Sequence, residues 1–182
     1  TLKLNKLEGD AAFFYCDHDG DKDQANKILV AMDKANKAFN EKASSLVFVQ
    51  ACGCEPCLES KNLRLKIVAH NGNFAIKQIR NFEELAGEDV ILTHRMLKND
   101  IESNEYWLIT DNFYKDLSPE NKSKFSPNTQ NLESFGEMKL NYLQLSSPEP
   151  KNRKIEKRSR IYNWFAQALY FSKAKFGKKS IQ

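Results

Sequence analysis

Short stretches with strand-like patterns lie on either side of a glycine turn at the start of the chain. Residues 2–7 alternate apolar and polar side chains, and residues 11–16 form an apolar run too short for a helix, so both are predicted as strands. Residues 8–10 between them are predicted as the tip of a hairpin, with Gly9 supplying the positive φ of a tight turn. Asp10 would then project from a rigid corner, a position that suits a hard divalent cation.

Helices and strands are predicted to alternate after this hairpin. Apolar residues at helical spacing predict a first helix, and they are Ala25, Ile28, Leu29, Met32, Ala35 and Phe39. Further strands are predicted over residues 45–51, 63–70, 74–79 and 105–110. A second helix is predicted to begin after Gly87, with one face formed by Val90, Ile91, His94 and Leu97. Strands interleaved with helices, two hairpins among them, predict an α+β layered sandwich.

Length and composition predict a cytoplasmic protein with a real hydrophobic core. The chain has 182 residues, of which 41% are hydrophobic. It contains no apolar run long enough to span a bilayer and no signal-peptide pattern. Three of its four cysteines lie within residues 52–57, which favours reduced thiols or a metal site over a secreted disulfide framework.

The sign of the charge divides the chain into an acidic body and a basic end. The overall net charge is +4, but residues 151–182 carry +9 and the first 150 residues carry −5. Three regions are predicted: a domain over residues 1–117, an irregular proline-containing linker over 118–150, and a basic, aromatic-rich helix within 151–182. The basic helix either binds an anionic surface or docks on the acidic body or an acidic partner, and its all-round aromatic residues favour docking.

The cysteine loop is the clearest chemical feature that the residues show by themselves. Cys52, Cys54 and Cys57 stand in a Cys-x-Cys-x-x-Cys pattern whose thiolates could converge on one zinc ion. Zinc would need a fourth ligand, for which Cys16, His18 and His70 are candidates. The alternatives are a reduced loop shaped by proline or a disulfide. A zinc site here would be structural.

Three short segments, taken together, resemble the class III adenylate and guanylate cyclases. Lys6-x-x-Gly9-Asp10 looks like their second-strand hairpin, and Ala69-His70-Asn71-Gly72 looks like their His-x-Gly strand and turn. The segment from Gly87 through Val90 to Arg95-Met96 is similar to the one that opens their later catalytic helix. The order and spacing agree over roughly residues 1–112, and the cysteine insertion resembles a divergent bacterial branch of the superfamily.

The resemblance implies a fold and a metal-dependent nucleotide site. The implied fold is a ferredoxin-like sandwich, an antiparallel sheet with helices on one face, which lacks its first strand here. In the family, two aspartates hold two magnesium or manganese ions at the triphosphate. Asp10 matches the second aspartate, and the first is absent. Lys6 stands where adenylate cyclases place an adenine-reading lysine, and Glu84 falls near the position of its acidic partner.

Of two further positions, one matches the family and the other suggests that turnover has been lost. Arg95 matches the arginine that stabilises the transition-state phosphate, but Ile91 takes the place of the asparagine that orients the ribose. Ring closure needs an in-line attack between two cations, and one carboxylate does not hold both. An aliphatic side chain also removes an orienting hydrogen bond. From its own pattern, Ile91 is predicted to be a core contact of its helix.

Three functions therefore remain open from the sequence. The first is a catalytically degenerate cyclase-like domain that acts as a nucleotide-binding or signalling module. The second is an active adenylate cyclase, a phosphorus-oxygen lyase that converts ATP to cyclic AMP, if the missing strand is present in the native protein. The third is a structural zinc module. Cyclase sites form between two protomers, so the resemblance also implies a homodimer.

Overall fold

The computed structural model describes residues 2–18, 20–49, 62–80, 82–145, 164–165 and 168–169. These residues belong to two compact units. The first comprises Thr1–Lys34 and Leu65–Leu145, and the second comprises Ala35–Arg64 and Ser146–Gln182. Only four residues of the predicted basic helix are described; all four are helical, and the rings of Trp164 and Phe165 meet edge to face at 5.1 Å. Among the described residues, no helix combines the length and the hydropathy needed to cross a bilayer.

Strands and helices are mixed along the described chain, which confirms the α+β class. The strands are β1 (Lys3–Glu8), β2 (Ala11–Tyr15), β3 (Lys66–Ala69), β4 (Ala75–Ile79), β5 (Phe82–Ala86), β6 (Tyr106–Thr110), β7 (Ser126–Leu132) and β8 (Gly136–Gln144). The helices are α1 (Gln24–Val49), α2 (Glu88–Met96), α3 (Asp111–Lys115) and α4 (Pro119–Lys122).

The described strands form one four-stranded sheet and two hairpins. The order of the large sheet is β3-β6-β8-β7, and the hairpins are β1-β2 and β4-β5. β3 runs parallel to β6, with Lys66 opposite Tyr106 and Ala69 opposite Ile109, whereas the other pairs are antiparallel. The expectation of a purely antiparallel sheet is therefore wrong. The parallel register also brings the ends of β3 and β6 together.

The core of the first unit lies on both faces of β6, all five of whose residues are buried. Trp107 and Ile109 point to one face, where they pack with residues of α1 and α3, including Leu29 and Phe113. The alternate residues pack on the other face against α2 and the β7-β8 pair; this cluster contains Tyr106, Leu108, Leu92, Met96, Leu132 and Leu140. Helices thus cover both faces, in contrast to the predicted one-sided arrangement. Full burial of such a side chain contributes roughly 1.5–3 kcal/mol.

Two predicted boundaries are wrong in the described chain. α1 continues through Val49, so residues 45–49 of the strand predicted over 45–51 are helical. The linker predicted over 118–150 contains α4, β7 and β8. β7 includes Pro127, which lacks a backbone donor, and an edge position of the sheet accommodates it.

α2 buries a different face from the one predicted. Leu92 and Met96 are its buried residues, whereas Ile91 is 52% exposed and Leu97 is exposed as well. The expected core contact of Ile91 is therefore wrong. The backbone of α2 begins after Gly87, whose φ of 150° is one that side-chain-bearing residues rarely adopt.

Candidate functional site

The hairpin tip is built as the sequence predicts. β1 and β2 are antiparallel, with Glu8 opposite Ala11, and Gly9 has a φ of 60°. Asp10 follows in the turn and is exposed. The structure therefore holds this carboxylate at the end of a short ladder, open to solvent.

One side of the hairpin packs on α2 through a small polar cluster. Lys6 Nζ lies 2.8 Å from Glu8 Oε1, and the other carboxylate oxygen of Glu8 lies 3.3 Å from Nδ1 of His94. The ring of Phe13, opposite Lys6 across the ladder, stacks on His94 at 4.9 Å. The hydrogen bond from Lys6 is the largest cause that lowers the pKa of Glu8, and His94 adds to it.

Arg95 is next to this cluster on α2 and has an acidic partner of its own. Its Nη1 lies 2.6 Å from Oε2 of Glu133, a residue that follows β7. Because Glu8 contacts His94, the hairpin that carries Lys6 and the helix that carries Arg95 are adjoining elements. The structure thus brings together the regions that carry most of the candidate residues.

Glu84 lies apart from that group. It is exposed on β5, opposite Lys77. Its neighbour Glu83 makes the contacts to the hairpin: the backbone oxygen accepts from Asn5 Nδ2 at 3.0 Å, and the carboxylate accepts from the Tyr15 hydroxyl at 3.2 Å. The ion pair of Lys6 is with Glu8 rather than with Glu84.

His70 occupies the point where the parallel strands end. It follows Ala69, which lies opposite Ile109, so the register sets His70 beside Thr110. Its Nδ1 lies 2.9 Å from the Thr110 hydroxyl, and that hydroxyl accepts from Phe113 N–H and so caps α3. His70 is therefore a buried, hydrogen-bonded residue, as its place at a turn favours.

Asp89 connects this strand end to α2. Its Oδ2 accepts from Asn73 N–H at 2.6 Å, and its Oδ1 lies 3.0 Å from Nε2 of His70. Burial alone would raise the pKa of Asp89. The hydrogen bond from Asn73 N–H and the contact with His70 together outweigh the effect of burial, so the pKa is lowered. The carboxylate is thus held in its charged form between the turn and the helix.

Asp89 and Thr110 are functional candidates that the sequence patterns missed. Glu88 and Asp89 together suggest only an acidic first turn of a helix, and Thr110 ends a buried strand. Their spatial relation to His70 depends on the pairing of two strands that are distant in sequence. The Ala69-His70-Asn71-Gly72 resemblance was the one signal that pointed to this turn.

The metal predictions remain predictions. Cys52, Cys54 and Cys57 lie outside the described residues. Within the described ranges, no three His, Cys, Asp or Glu side chains are grouped to hold a metal ion. Of the candidate fourth ligands, His18 Nδ1 lies 2.8 Å from Gln24 Oε1, and His70 has the contacts described above.

Comparison with known proteins places the chain in a family. Residues 1–106 match the family described as "Protein of unknown function (DUF2652)", which is more than half of the chain. The chain belongs to DUF2652. A relative from Mycobacterium tuberculosis, "Uncharacterized protein Rv2561/Rv2562", is 34% identical over 151 residues, covering 81% of this chain and 68% of the relative. No solved structure matches the chain. The DUF2652 region includes Asp10, His70, Asp89 and Arg95.

Proposed function

We propose that this DUF2652 chain is a divergent class III nucleotidyl cyclase-like domain. It binds a nucleoside triphosphate without converting it to a cyclic product, and it serves as a signalling module. The observation that carries the proposal is the packing of the β1-β2 hairpin on α2 through Glu8 and His94. This packing makes neighbours of the two elements on which the resemblance places Lys6, Asp10 and Arg95. The finer fold that we propose is a divergent form of the ferredoxin-like cyclase sandwich, in which β3 pairs in parallel with β6 and helices cover both faces of the large sheet.

The two cations at this surface can exchange their partners for phosphate. The Lys6–Glu8 and Arg95–Glu133 pairs are partly exposed, and such pairs contribute only about 0–1 kcal/mol each. Phosphate oxygens accept charge-assisted hydrogen bonds from lysine and arginine, as carboxylates do, and a triphosphate offers several such oxygens and several negative charges at once. A triphosphate that brings its own divalent cation to Asp10 would therefore compete well with both carboxylates.

Two features favour binding over catalysis. Asp10 matches one of the two metal-holding aspartates of the family, and among the described residues none matches the other. Ile91 is 52% exposed, so an aliphatic surface stands where the family places a ribose-orienting asparagine. Positioning supplies much of the rate in phosphoryl chemistry, and both losses act on positioning.

The test is calorimetric titration of the full chain with a non-hydrolysable ATP analogue and Mn²⁺. We expect binding that Asp10→Ala and Arg95→Ala each weaken by at least about tenfold, because each removes a charged contact to the ligand. Asp100→Ala and Lys98→Ala remove exposed charges elsewhere and serve as matched controls. Equal affinities in all five proteins, or no binding in any, would refute the proposal.

An active adenylate cyclase is the second candidate, and an open sheet edge favours it. Among the described strands, β3 pairs with β6 on one side only. A strand bearing the missing aspartate would fit along the other edge. The test is cyclic AMP production from ATP and Mn²⁺ by a longer native chain. Production that is lost in Asp10→Ala would favour an active cyclase over the degenerate module.

A second copy of the chain is the partner that we propose. Both hairpins expose large apolar side chains: Leu7, Phe14 and Phe82 are 71%, 51% and 75% exposed. Such surfaces are typical of interfaces. Light scattering should give a dimer mass for the natural chain and a monomer mass for Leu7→Asp; a monomer in both cases would exclude the dimer.

A further inference from the structure

A polar cleft opens at the carboxyl ends of the parallel strands β3 and β6. Ligand sites in sheets with parallel strands favour this edge, because the segments that follow the strands diverge there. Two cavities of about 390 and 330 Å³ lie here and share Asp89 and Asn112 in their linings. The two shallow cavities adjoin, and we call them together the groove; each has a volume in the range of small-molecule sites.

A buried imidazole that contacts a hydroxyl group and a carboxylate lines this groove. The His70 side chain is only 7% exposed, and its Nδ1 is occupied by Thr110. Its Nε2 lies 3.0 Å from Asp89 Oδ1, and the described residues offer it no second polar partner. The imidazole thus holds Asp89 in place at the wall of the groove.

The absence of a side chain at Gly72 lets the His70 imidazole and the Asp89 carboxylate pack directly against its backbone. A Cβ there would collide with His70 Nε2 and come within 2.5 Å of the Asp89 carboxyl group. A glycine is therefore required at this point for packing, although its φ is an ordinary one. It leaves the imidazole and the carboxylate beside the cavity rather than under a side chain.

Amide and carboxylate groups alternate at the mouth of the groove. Asn71 Nδ2 donates to Asp116 Oδ2 at 2.6 Å, which leaves the amide oxygen and the second carboxylate oxygen as acceptors. Asn112 adds an exposed amide with both donor and acceptor atoms. A ligand with adjacent hydroxyl groups would match this arrangement, because each hydroxyl group both donates and accepts hydrogen bonds. In other proteins, carboxylates bind the hydroxyl groups of ribose.

The charge and the apolar wall of the groove restrict the ligand further. Its carboxylates outnumber its two lysines; the charged lining residues are Glu88, Asp89, Asp111, Asp116, Lys115 and Lys139. An acidic lining disfavours phosphate. Leu92, Phe135 and Met138 supply an apolar wall. We propose that this groove binds a neutral ligand with vicinal hydroxyl groups, either a free sugar or a nucleoside.

The test uses phosphate-free probes on the full chain, followed by calorimetry or ligand-observed NMR. The probes are ribose and adenosine, with 2-deoxyribose and 2′-deoxyadenosine as matched ligands that lack the vicinal pair. We expect the deoxy compounds to bind at least about tenfold more weakly, because polar groups of the groove lose their partner. Binding of adenosine much above ribose would identify a nucleoside, and comparable binding would identify a sugar.

Four variants assign the binding to the groove. Asn112→Ala should weaken it at least about fivefold, whereas Asn104→Ala, the same change in an exposed loop, should not. Asp10→Ala and Arg95→Ala should leave it unchanged, which separates this site from the proposed triphosphate site. No binding of either probe, equal binding of the deoxy compounds, or equal loss in both asparagine variants would overturn the inference.

Discussion

The β6 strand and the β1-β2 hairpin both contain large apolar residues but serve opposite purposes. β6 is buried along its whole length, and alternate side chains contribute to two separate core clusters. In the hairpin, Tyr15 is the one strand residue that is buried, and Leu7 is 71% exposed. Apolar character alone therefore does not distinguish a core strand from a surface strand; the number of covered faces does.

This difference separates stability from chemistry within the first unit. β6 contributes side chains whose burial stabilises the fold, while the hairpin carries exposed charges that contribute little to stability and remain free to bind ligands. The His70 turn combines both roles, because the His70 imidazole is buried and also lines a groove. Substitutions in the three places should therefore differ in the size and the kind of their effects.

The largest effect is expected in the core strand. Leu108→Ala should lower the free energy of unfolding by about 2–5 kcal/mol, because Leu108 is fully buried and the change leaves a cavity. Measured on the monomer, Leu7→Ala in the hairpin should change it by less than about 0.5 kcal/mol, because that side chain is exposed there. Urea unfolding followed by Trp107 fluorescence, in a Trp164→Phe background, measures both. Equal losses in the two variants would contradict the contrast between the strands.

An intermediate effect is expected at Gly72. Gly72→Ala should cost about 1–3 kcal/mol, because the new methyl group collides with His70 and Asp89. The loss should be smaller in a His70→Ala background, where one colliding group is gone. Gly9→Ala, where φ is 60° and the space is open, should cost about the same with or without His70. Urea unfolding of the single and double variants measures these losses in the free energy of unfolding. If the losses from Gly72→Ala and His70→Ala were strictly additive, the steric explanation would be refuted.

The smallest effect is a pH dependence at Asp89. Because the pKa of Asp89 is lowered in the folded chain, its contribution to stability is complete above the ordinary value near 3.8 and is lost as pH falls through the lower folded pKa. Asp89→Asn should therefore be less stable than the natural chain at pH 7, and this difference in stability between the two proteins should decrease towards pH 3. Thermal unfolding across this range tests it, with Leu7→Ala as a control that removes no titrating group. A difference in stability that stays constant with pH would rule out a contribution from the ionisation of Asp89.

Local sequence patterns predicted much of the fold. They failed where one apolar run was compatible with both a strand and a helix. The hairpin at Gly9, the start of α2 and the β6 strand all followed from short-range spacing. Residues 46–49 form an apolar run that suits a buried strand or a buried helix equally well. There α1 simply continues, since extending a helix avoids the cost of nucleating one.

The missed sheet region carried a weak signal. Met138, Leu140 and Tyr142 alternate along β8 as a strand predicts, and they pack in or against one core cluster. Pro127 and the asparagines of β7 obscured its partner. The groove was beyond sequence reasoning for a different reason: the contact between His70 and Thr110 follows from parallel register, which no local pattern encodes.

The parallel pairing of β3 with β6 also bears on the order of assembly. The β7-β8 hairpin closes through a short turn, whereas β3 reaches β6 only after a long intervening segment has been ordered. Loop-closure entropy therefore delays β3, and we expect it to join last. The same strand should be the first of the four to exchange its amide hydrogens under native conditions, and slower exchange in β3 than in β8 would argue against this order.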